Sequence, residues 1–260
     1  MLIVTLVIFA IAIIMTMTGR GGGNFYVLAL VLTGLSMHEA AATGQFILMS
    51  SALAGMIIFH KKKLVDWKLA LVIDPPTDIM ALVGGYFSDY VSGTTLKLVF
   101  SGLLVIAGFL MLKKVEERPI QTEKRFGYWH RQFGEASYTV NLWVAIPVCA
   151  VVGLFSGALG ISGGSFKVPL MVLFCGVPMG IAVGTSSAMV AATALMGLAG
   201  HWAGGHFDLQ TALLPAAAAI AGGVIGGKLA VKTDKKKLKV IFAYTTLAAA
   251  LFMAVNALLN

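Results

Sequence analysis

Charged side chains are scarce in this sequence. Asp, Glu, Lys and Arg make up 12% of the 260 residues and hydrophobic residues 58%, whereas an average globular protein carries about 25% charged residues. So few polar side chains cannot shield the long apolar runs from water, and the mean hydropathy of +0.91 supports this. These features exclude a soluble globular protein and predict a polytopic helical membrane protein.

Other features are also missing. Apolar and polar residues do not alternate with a period of two, which excludes a transmembrane β-barrel. The only cysteines, Cys149 and Cys175, lie in apolar runs without a C-x-x-C motif, so we expect small buried side chains and neither a disulfide nor a bound metal or other cofactor. No basic residue precedes the apolar run at 2–18, and the first, Arg20, follows it. We therefore expect a retained membrane segment instead of a cleaved signal peptide.

Ten apolar segments occupy most of the chain, five on each side of a polar stretch at 113–141. They lie at about 2–18, 25–37, 39–59, 69–88 and 96–112, and then at about 142–161, 166–177, 179–203, 209–227 and 238–259. The motif GGNFYV at 22–27 recurs as GGSFKV at 163–168, and the match continues at a nearly constant offset. The sequence predicts an internal duplication, with a first repeat at 1–112, a cytoplasmic linker at 113–141 and a second repeat at 142–260.

The basic residues indicate how the two repeats are oriented. Sixteen of the 19 lie at 61–68, 113–131 and 228–239. The positive-inside tendency places these regions in the cytoplasm and both chain ends outside the inner membrane, which requires inverted repeats of five segments each. The alternative, in which the first two segments of each repeat form one broken span, would put 228–239 outside, and the charges reject it.

The second segment of each repeat, 25–37 or 166–177, is too short to cross a hydrocarbon core of roughly 30 Å. We therefore expect an all-α fold in which each repeat has a glycine-broken, short or re-entrant helix pair followed by three spanning helices.

Glycine-rich breaks precede both short segments. Glycine lets the backbone approach a ligand, and a helix that begins behind it offers unpaired N–H groups and the positive end of its dipole. Paired breaks in inverted halves indicate a transporter site near the membrane midplane, here one for an anion. The predicted substrate-binding residues at the breaks are Arg20, Gly22, Gly23 and Asn24 in the first repeat and Gly163, Gly164, Ser165 and Lys167 in the second. At Gly22 and Gly163 we expect a positive φ, which valine would not adopt.

An alternative interpretation of the same residues is structural. The glycines would pack helices together, and Arg20 and Lys167 would reach the membrane interface with their charged ends.

Polar side chains also begin the third segment of each repeat. We predict that they take part in substrate binding, because hydroxyl and amide groups can donate to oxyanion oxygens without bringing another charge into the membrane. The residues are Thr43 and Gln45 in the first repeat and Thr185, Ser186 and Ser187 in the second. The alternative is that the hydroxyls bond to the backbone of their own helix.

Asp74 and Asp78 are the carboxylates of an otherwise apolar run, IDPPTDIM, in which two prolines disturb the helix. An intramembrane carboxylate suggests a function. Two roles remain open: proton coupling, or a structural salt bridge from Asp74 to Arg20 or Lys167. The equivalent positions of the second repeat are Ala216 and Ile220, so the role is asymmetric.

The sequence resembles the sulfite exporter TauE/SafE family over nearly its whole length. The resemblance rests on GRGGGNFYVLALVL and GLSMHEAAATGQ in the first half and on GLFSGALGISGGSFKVPLMVLFCGVPMGIAVGTSSAMV in the second. It implies two inverted repeats and the transport of sulfite or small organosulfonates.

The sequence therefore predicts a secondary transporter of a small sulfur oxyanion, most simply a sulfite exporter that works by alternating access. An organosulfonate or thiosulfate transporter of the same fold is the alternative. An intramembrane enzyme that uses Asp74 and Asp78 is disfavoured, because the five histidines lie mostly near segment ends and no catalytic motif accompanies the carboxylates. A membrane scaffold would not explain the duplicated breaks. The expected partners are a small anion and membrane lipid, and the basic regions do not imply nucleic acid.

Overall fold

The computed structural model describes residues 2–87, 93–112, 126–159, 163–205 and 207–259. Six helices precede the linker: α1 (Leu2–Met17), α2 (Gly23–Val31), α3 (Met37–Lys61), α4 (Trp67–Ile73), α5 (Pro75–Tyr86) and α6 (Gly93–Leu112). A β-hairpin of β1 (Tyr128–Phe133) and β2 (Ala136–Asn141) follows. The remaining elements are α7 (Leu142–Leu159), α8 (Gly164–Pro169), a π-helical turn (Leu170–Phe174), α9 (Met179–Ala203), α10 (Leu209–Lys232) and α11 (Lys235–Leu259).

Five of the described helices, α3, α7, α9, α10 and α11, are long and apolar enough to cross a membrane. Each exposes large apolar side chains, for example Leu53, Trp143, Leu195, Leu214 and Leu251 in that order. Exposed apolar surface of this extent suits lipid and is rare on water-soluble monomers. The prediction of a polytopic helical membrane protein is confirmed.

The hairpin lies in the polar stretch at 113–141, for which the sequence predicted only a linker. Its strands pair antiparallel with Arg131 opposite Tyr138, so the two side chains lie on the same face. Both bind Asp66 at the start of α4: Arg131 donates through Nε at 2.8 Å and Nη2 at 3.0 Å, and the Tyr138 hydroxyl donates at 2.5 Å. These contacts fasten the hairpin to the connection between α3 and α4.

Asp66 also caps α4, since its carboxylate accepts the N–H groups of Lys68 and Leu69. Burial acts to raise the pKa of Asp66, but the hydrogen bonds from Arg131, Tyr138 and Leu69, together with the charge of Arg131, outweigh it. The pKa of Asp66 therefore lies below its ordinary value, and the carboxylate stays ionised.

The fourth segment is broken at Asp74, as its prolines predict. Pro75 and Pro76 have no N–H group, so the carbonyls of Leu71 and Val72 lose their helical donors and the chain restarts as α5. Asp74 is the residue between the two helices. The break thus places a carboxylate at a helix junction.

The helices pack around α3 and α9, which cross each other. The outer contacts join α1 to α10, α5 to α7 and α6 to α11, while α10 also packs on α3 and α5 on α9. Glycine allows close approach at these crossings. A Cβ atom added to Gly84 of α5 would lie 2.2 Å from the carbonyl oxygen of Leu154 in α7, and one added to Gly226 of α10 would lie 2.2 Å from that of Ile13 in α1.

Candidate functional site

The first break is a buried, tightly turned backbone segment. Gly19, Gly21 and Gly22 have φ values of 71°, 74° and 85°, which L residues rarely adopt. All residues from Thr18 to Asn24 are buried. Among the described residues, no acceptor bonds the N–H groups of Gly21 to Asn24. The break therefore presents four buried donors to a ligand or to water.

The two breaks touch each other. A Cβ atom added to Gly164 would lie 2.8 Å from the Gly19 carbonyl oxygen and 2.9 Å from Arg20 Cα. The same atom would lie 2.9 Å from the side chain of Val190, and one added to Gly21 would lie 3.0 Å from it. Val190 is next to the middle residue of α9, so the breaks meet at the centre of that helix.

The expected positive φ is observed at Gly22 but is wrong for Gly163. Gly163 has a right-handed φ of −69° because it already begins the helical turn, with its carbonyl accepting from Phe166 and Lys167. Its surroundings are also looser, with the nearest atoms 3.2–3.3 Å from an added Cβ. In the second break the close approach occurs at Gly164.

Neither cation of the breaks reaches the surface, because Arg20 and Lys167 are each 1% exposed. Arg20 extends to α11, where it hydrogen bonds to Thr246 and to the carbonyl oxygens of Phe242 at 3.3 Å and Thr245 at 3.2 Å. Its guanidinium lies 5.0 Å from the Phe242 ring centre. The interfacial alternative is therefore wrong for both cations.

Lys167 forms an ion pair with Asp74 at the helix junction. Its Nζ also donates to the Thr193 hydroxyl of α9 at 2.7 Å, and that hydroxyl lies 2.8 Å from a carboxylate oxygen of Asp78. The salt bridge suggested by the sequence exists, with Lys167 as its cation. It ties the second break to the broken helix α4–α5 through three ionisable side chains, of which Lys167 and Asp74 are buried and Asp78 is half-buried.

The predicted hydroxyl cluster on α9 joins separate elements of the fold. Ser186 donates to the carbonyl oxygen of Gly19 at 2.8 Å, and Ser187 donates to that of Ala52 at 3.0 Å. Thr185 accepts the N–H of Asp66 at 3.0 Å. The alternative of bonding within their own helix is wrong for these bonds, because each partner lies on another element.

Several polar atoms near the second break lack a partner. Ser165 Oγ, Ser156 Oγ and Gln45 Oε1 are buried and form no hydrogen bond within the described part of the chain. Gln45 Nε2 donates to the Ser156 carbonyl oxygen at 3.2 Å, and Ser156 Oγ would lie 3.3 Å from a Cβ on Gly163. Unpaired polar atoms of this kind indicate a place for water or a polar ligand.

The other predicted residues contribute less. Thr43 is buried on α3, and within the described residues the Asn24 side chain donates to the sulfur of Met253 at 3.7 Å. The sequence missed Ser156 and Thr193. Thr193 had one signal, since it lies 142 positions after Ser51, the offset of the predicted duplication in this region.

A multi-pass helical fold that buries glycine breaks and charged side chains is the architecture of a membrane transporter. The sequence profile of the family described as "Sulfite exporter TauE/SafE" matches residues 4–253, so the chain belongs to this family. This confirms the resemblance deduced from its motifs.

Curated relatives of this chain are named as probable membrane transporters. The probable membrane transporter protein YunE of Bacillus subtilis is 25% identical over 232 residues, covering 85% of this chain and 84% of its own. The probable membrane transporter protein YfcA of Escherichia coli K12 is 24% identical over 224 residues, covering 84% and 77%. A probable membrane transporter protein of Methanocaldococcus jannaschii is 23% identical over 273 residues, covering 94% and 92%. No solved structure matches this chain.

Proposed function

We propose that the protein is a secondary transporter of a small sulfur oxyanion, with sulfite as the first candidate, and that it works by alternating access around the two glycine breaks. The observation that carries the proposal is the row of four N–H groups from Gly21 to Asn24, which bond to no acceptor among the described residues. A buried N–H without a partner costs about 1–3 kcal/mol, so four together need an acceptor. An oxyanion supplies several acceptor oxygens within a small volume.

The position of the breaks supports transport rather than static binding. They meet at the middle of α9, a helix long enough to cross the membrane. The second break adds the hydroxyl of Ser165, which has no partner among the described residues. We infer that a site at the middle of this helix lies near the membrane midplane. Small relative movements of the packed helices can then expose it to either side.

Equivalent contacts support the duplication and a two-fold relation between its halves. Residues 13 and 154, 26 and 167, and 84 and 226 are equivalent under the sequence offsets of 141 and 142. The Gly84–Leu154 contact thus has its counterpart in Gly226–Ile13, each at 2.2 Å from an added Cβ. Tyr26 bonds to Ser51 at 3.4 Å as Lys167 bonds to Thr193, and both Asp66 and Asp208 cap the fourth helix of their repeat.

We further propose that the protein resides in the inner membrane with the basic regions at 61–68, 113–131 and 228–239 in the cytoplasm and both chain ends outside. The positive-inside tendency supports this orientation. The hairpin, whose first strand begins within the second basic region, would then lie at the cytoplasmic ends of α3 and α4.

Purified protein in liposomes tests the proposed function directly. We expect uptake of labelled sulfite that is stronger than that of sulfate, with thiosulfate and methanesulfonate as competitors that rank the alternatives. Gly22→Val should abolish uptake because of its φ of 85° and the Met15 side chain 2.8 Å from an added Cβ. Gly102→Ala is the matched control, since no atom lies within 4 Å of its added Cβ.

If the protein transports thiosulfate or methanesulfonate but not sulfite, the proposed substrate is wrong and the proposed site stands. Absence of both binding and flux for all four anions in wild-type liposomes would overturn the proposed function.

A further inference from the structure

The three charged side chains near the second break lie in one half of the molecule. Lys167, Asp74 and Asp78 surround Thr193, whereas the equivalent positions of the other half are Tyr26, Ala216, Ile220 and Ser51. A pair that only held the helices together could be neutral in both halves, as Tyr26 and Ser51 are. The asymmetry indicates that the charges serve the transported ion.

Asp74 and Asp78 have different hydrogen-bond partners. Asp74 contacts the Lys167 ammonium directly, while Asp78 is reached through the Thr193 hydroxyl. The lysine stem passes the second break, with Cε 3.3 Å from a Cβ added to Gly163. A short movement of the ammonium toward the break would leave Asp74 without its cation and leave the hydrogen bond of Asp78 in place.

We propose that Asp74 is the proton-binding residue of the transporter: the incoming anion takes Lys167 from Asp74, and Asp74 then binds a proton, so that one proton moves with each anion. This inference rests on the proposed function. A bare carboxylate buried in the membrane is costly, and protonation removes its charge. The ammonium in turn gains the anion in exchange for the carboxylate.

Charge balance supports the same exchange. The empty site holds one positive and two negative charges, a net charge of −1. With a monoanion bound and Asp74 protonated, Lys167 contributes +1, Asp78 −1 and the anion −1, again −1. The cycle therefore moves a monoanion without net charge and a dianion with one net negative charge, and with a monoanion the site gains no additional charge inside the membrane.

The ionisable groups that face Asp74 are few among the described residues. Lys167 faces it from α8, Asp78 from α5 and the Cys149 thiol from α7, while α9 offers only the Thr193 hydroxyl. Cys149 is a buried free thiol. Asp74 is accordingly the carboxylate whose charge depends on where Lys167 points.

Infrared difference spectra of the wild-type protein in liposomes give the first test. Addition of sulfite at pH 8 should create the band of a protonated carboxylic acid, which should be retained in Asp78→Asn and lost in Asp74→Asn. Absence of this band in wild type that binds sulfite would overturn the inference while the proposed function stands.

Proton uptake on binding gives the second test, measured with a pH indicator in weak buffer. Wild type should take up one more proton per sulfite than a neutral variant, since the protonation of sulfite itself is common to both. The double variant Asp74→Ala with Lys167→Tyr copies the neutral pair of the other half and keeps the comparison available if Asp74→Asn does not fold. Equal uptake in wild type and in either neutral variant would refute the coupling, whereas failure of wild type to bind sulfite, sulfate, thiosulfate and methanesulfonate would refute the function beneath it.

Discussion

The contact between the two breaks can be tested by adding a single methyl group. In Gly164→Ala the new Cβ would meet the Gly19 carbonyl oxygen at 2.8 Å, Arg20 Cα at 2.9 Å and the Val190 side chain at 2.9 Å. Ordinary contacts of this kind begin at 3.4 Å, so the breaks must separate by about half an ångström. Two of the three obstacles are backbone atoms, which cannot rotate away.

The expected cost of Gly164→Ala follows from this overlap. Overpacking of a filled interior costs about 1–3 kcal/mol, which corresponds to a decrease in the unfolding temperature of roughly 2–12 °C for a protein of this size. The loss of transport should be greater than the loss of stability, because separated breaks no longer present their donors to one ligand.

Thermal unfolding in detergent and sulfite flux in liposomes measure the two effects. Gly163→Ala is the close control, since its added Cβ meets neighbours only at 3.2–3.3 Å and its φ is right-handed, and Gly102→Ala is the inert one. Wild-type flux and stability in Gly164→Ala, or an equal loss in Gly163→Ala, would show that the breaks do not meet as described.

Three further predictions concern the scaffold. Asp66→Asn should release the hairpin at 126–141, seen as faster proteolysis there. In wild type the hairpin should stay attached at pH values above about 3.9, the pKa of an aspartate in the unfolded chain. The attachment should weaken as the pH falls through the lower pKa of Asp66 in the folded protein. Attachment that does not change with pH would contradict the role of Asp66. Ser186→Ala removes the hydrogen bond to the first break and should cost about 1–3 kcal/mol, measured by thermal unfolding against wild type. Cysteines introduced at Lys62 and Lys236 should both label from the cytoplasmic side, and labelling from opposite sides would reject the inverted arrangement.

The order of the helices could be predicted from the sequence because apolar length and glycine position determine it locally. α2 and α8 follow their glycines, and the break between α4 and α5 follows its two prolines. The sequence could not choose between Arg20 and Lys167 as the partner of Asp74, because that choice depends on packing between segments far apart in the chain.

The hairpin was missed for a different reason. Its signals are modest: the segment YWHRQF contains three aromatic residues, and Gly134 follows with a φ of 58°. The basic residues at 113–131 indicate membrane orientation and give no sign of strand pairing. Gly163 was misjudged because equivalent glycines need not share a conformation, and Gly22 alone of the two is left-handed.

The ion pair between Lys167 and Asp74 constrains how this family can evolve. Either charge alone would be buried without its partner, at a cost of about 3–5 kcal/mol when one member of such a pair is removed. The two positions should therefore change together, passing between lysine with aspartate and a neutral pair such as the tyrosine and alanine of the other half. Relatives could then be sorted into proton-coupled and uncoupled transporters from these two columns of an alignment, before any of them is purified.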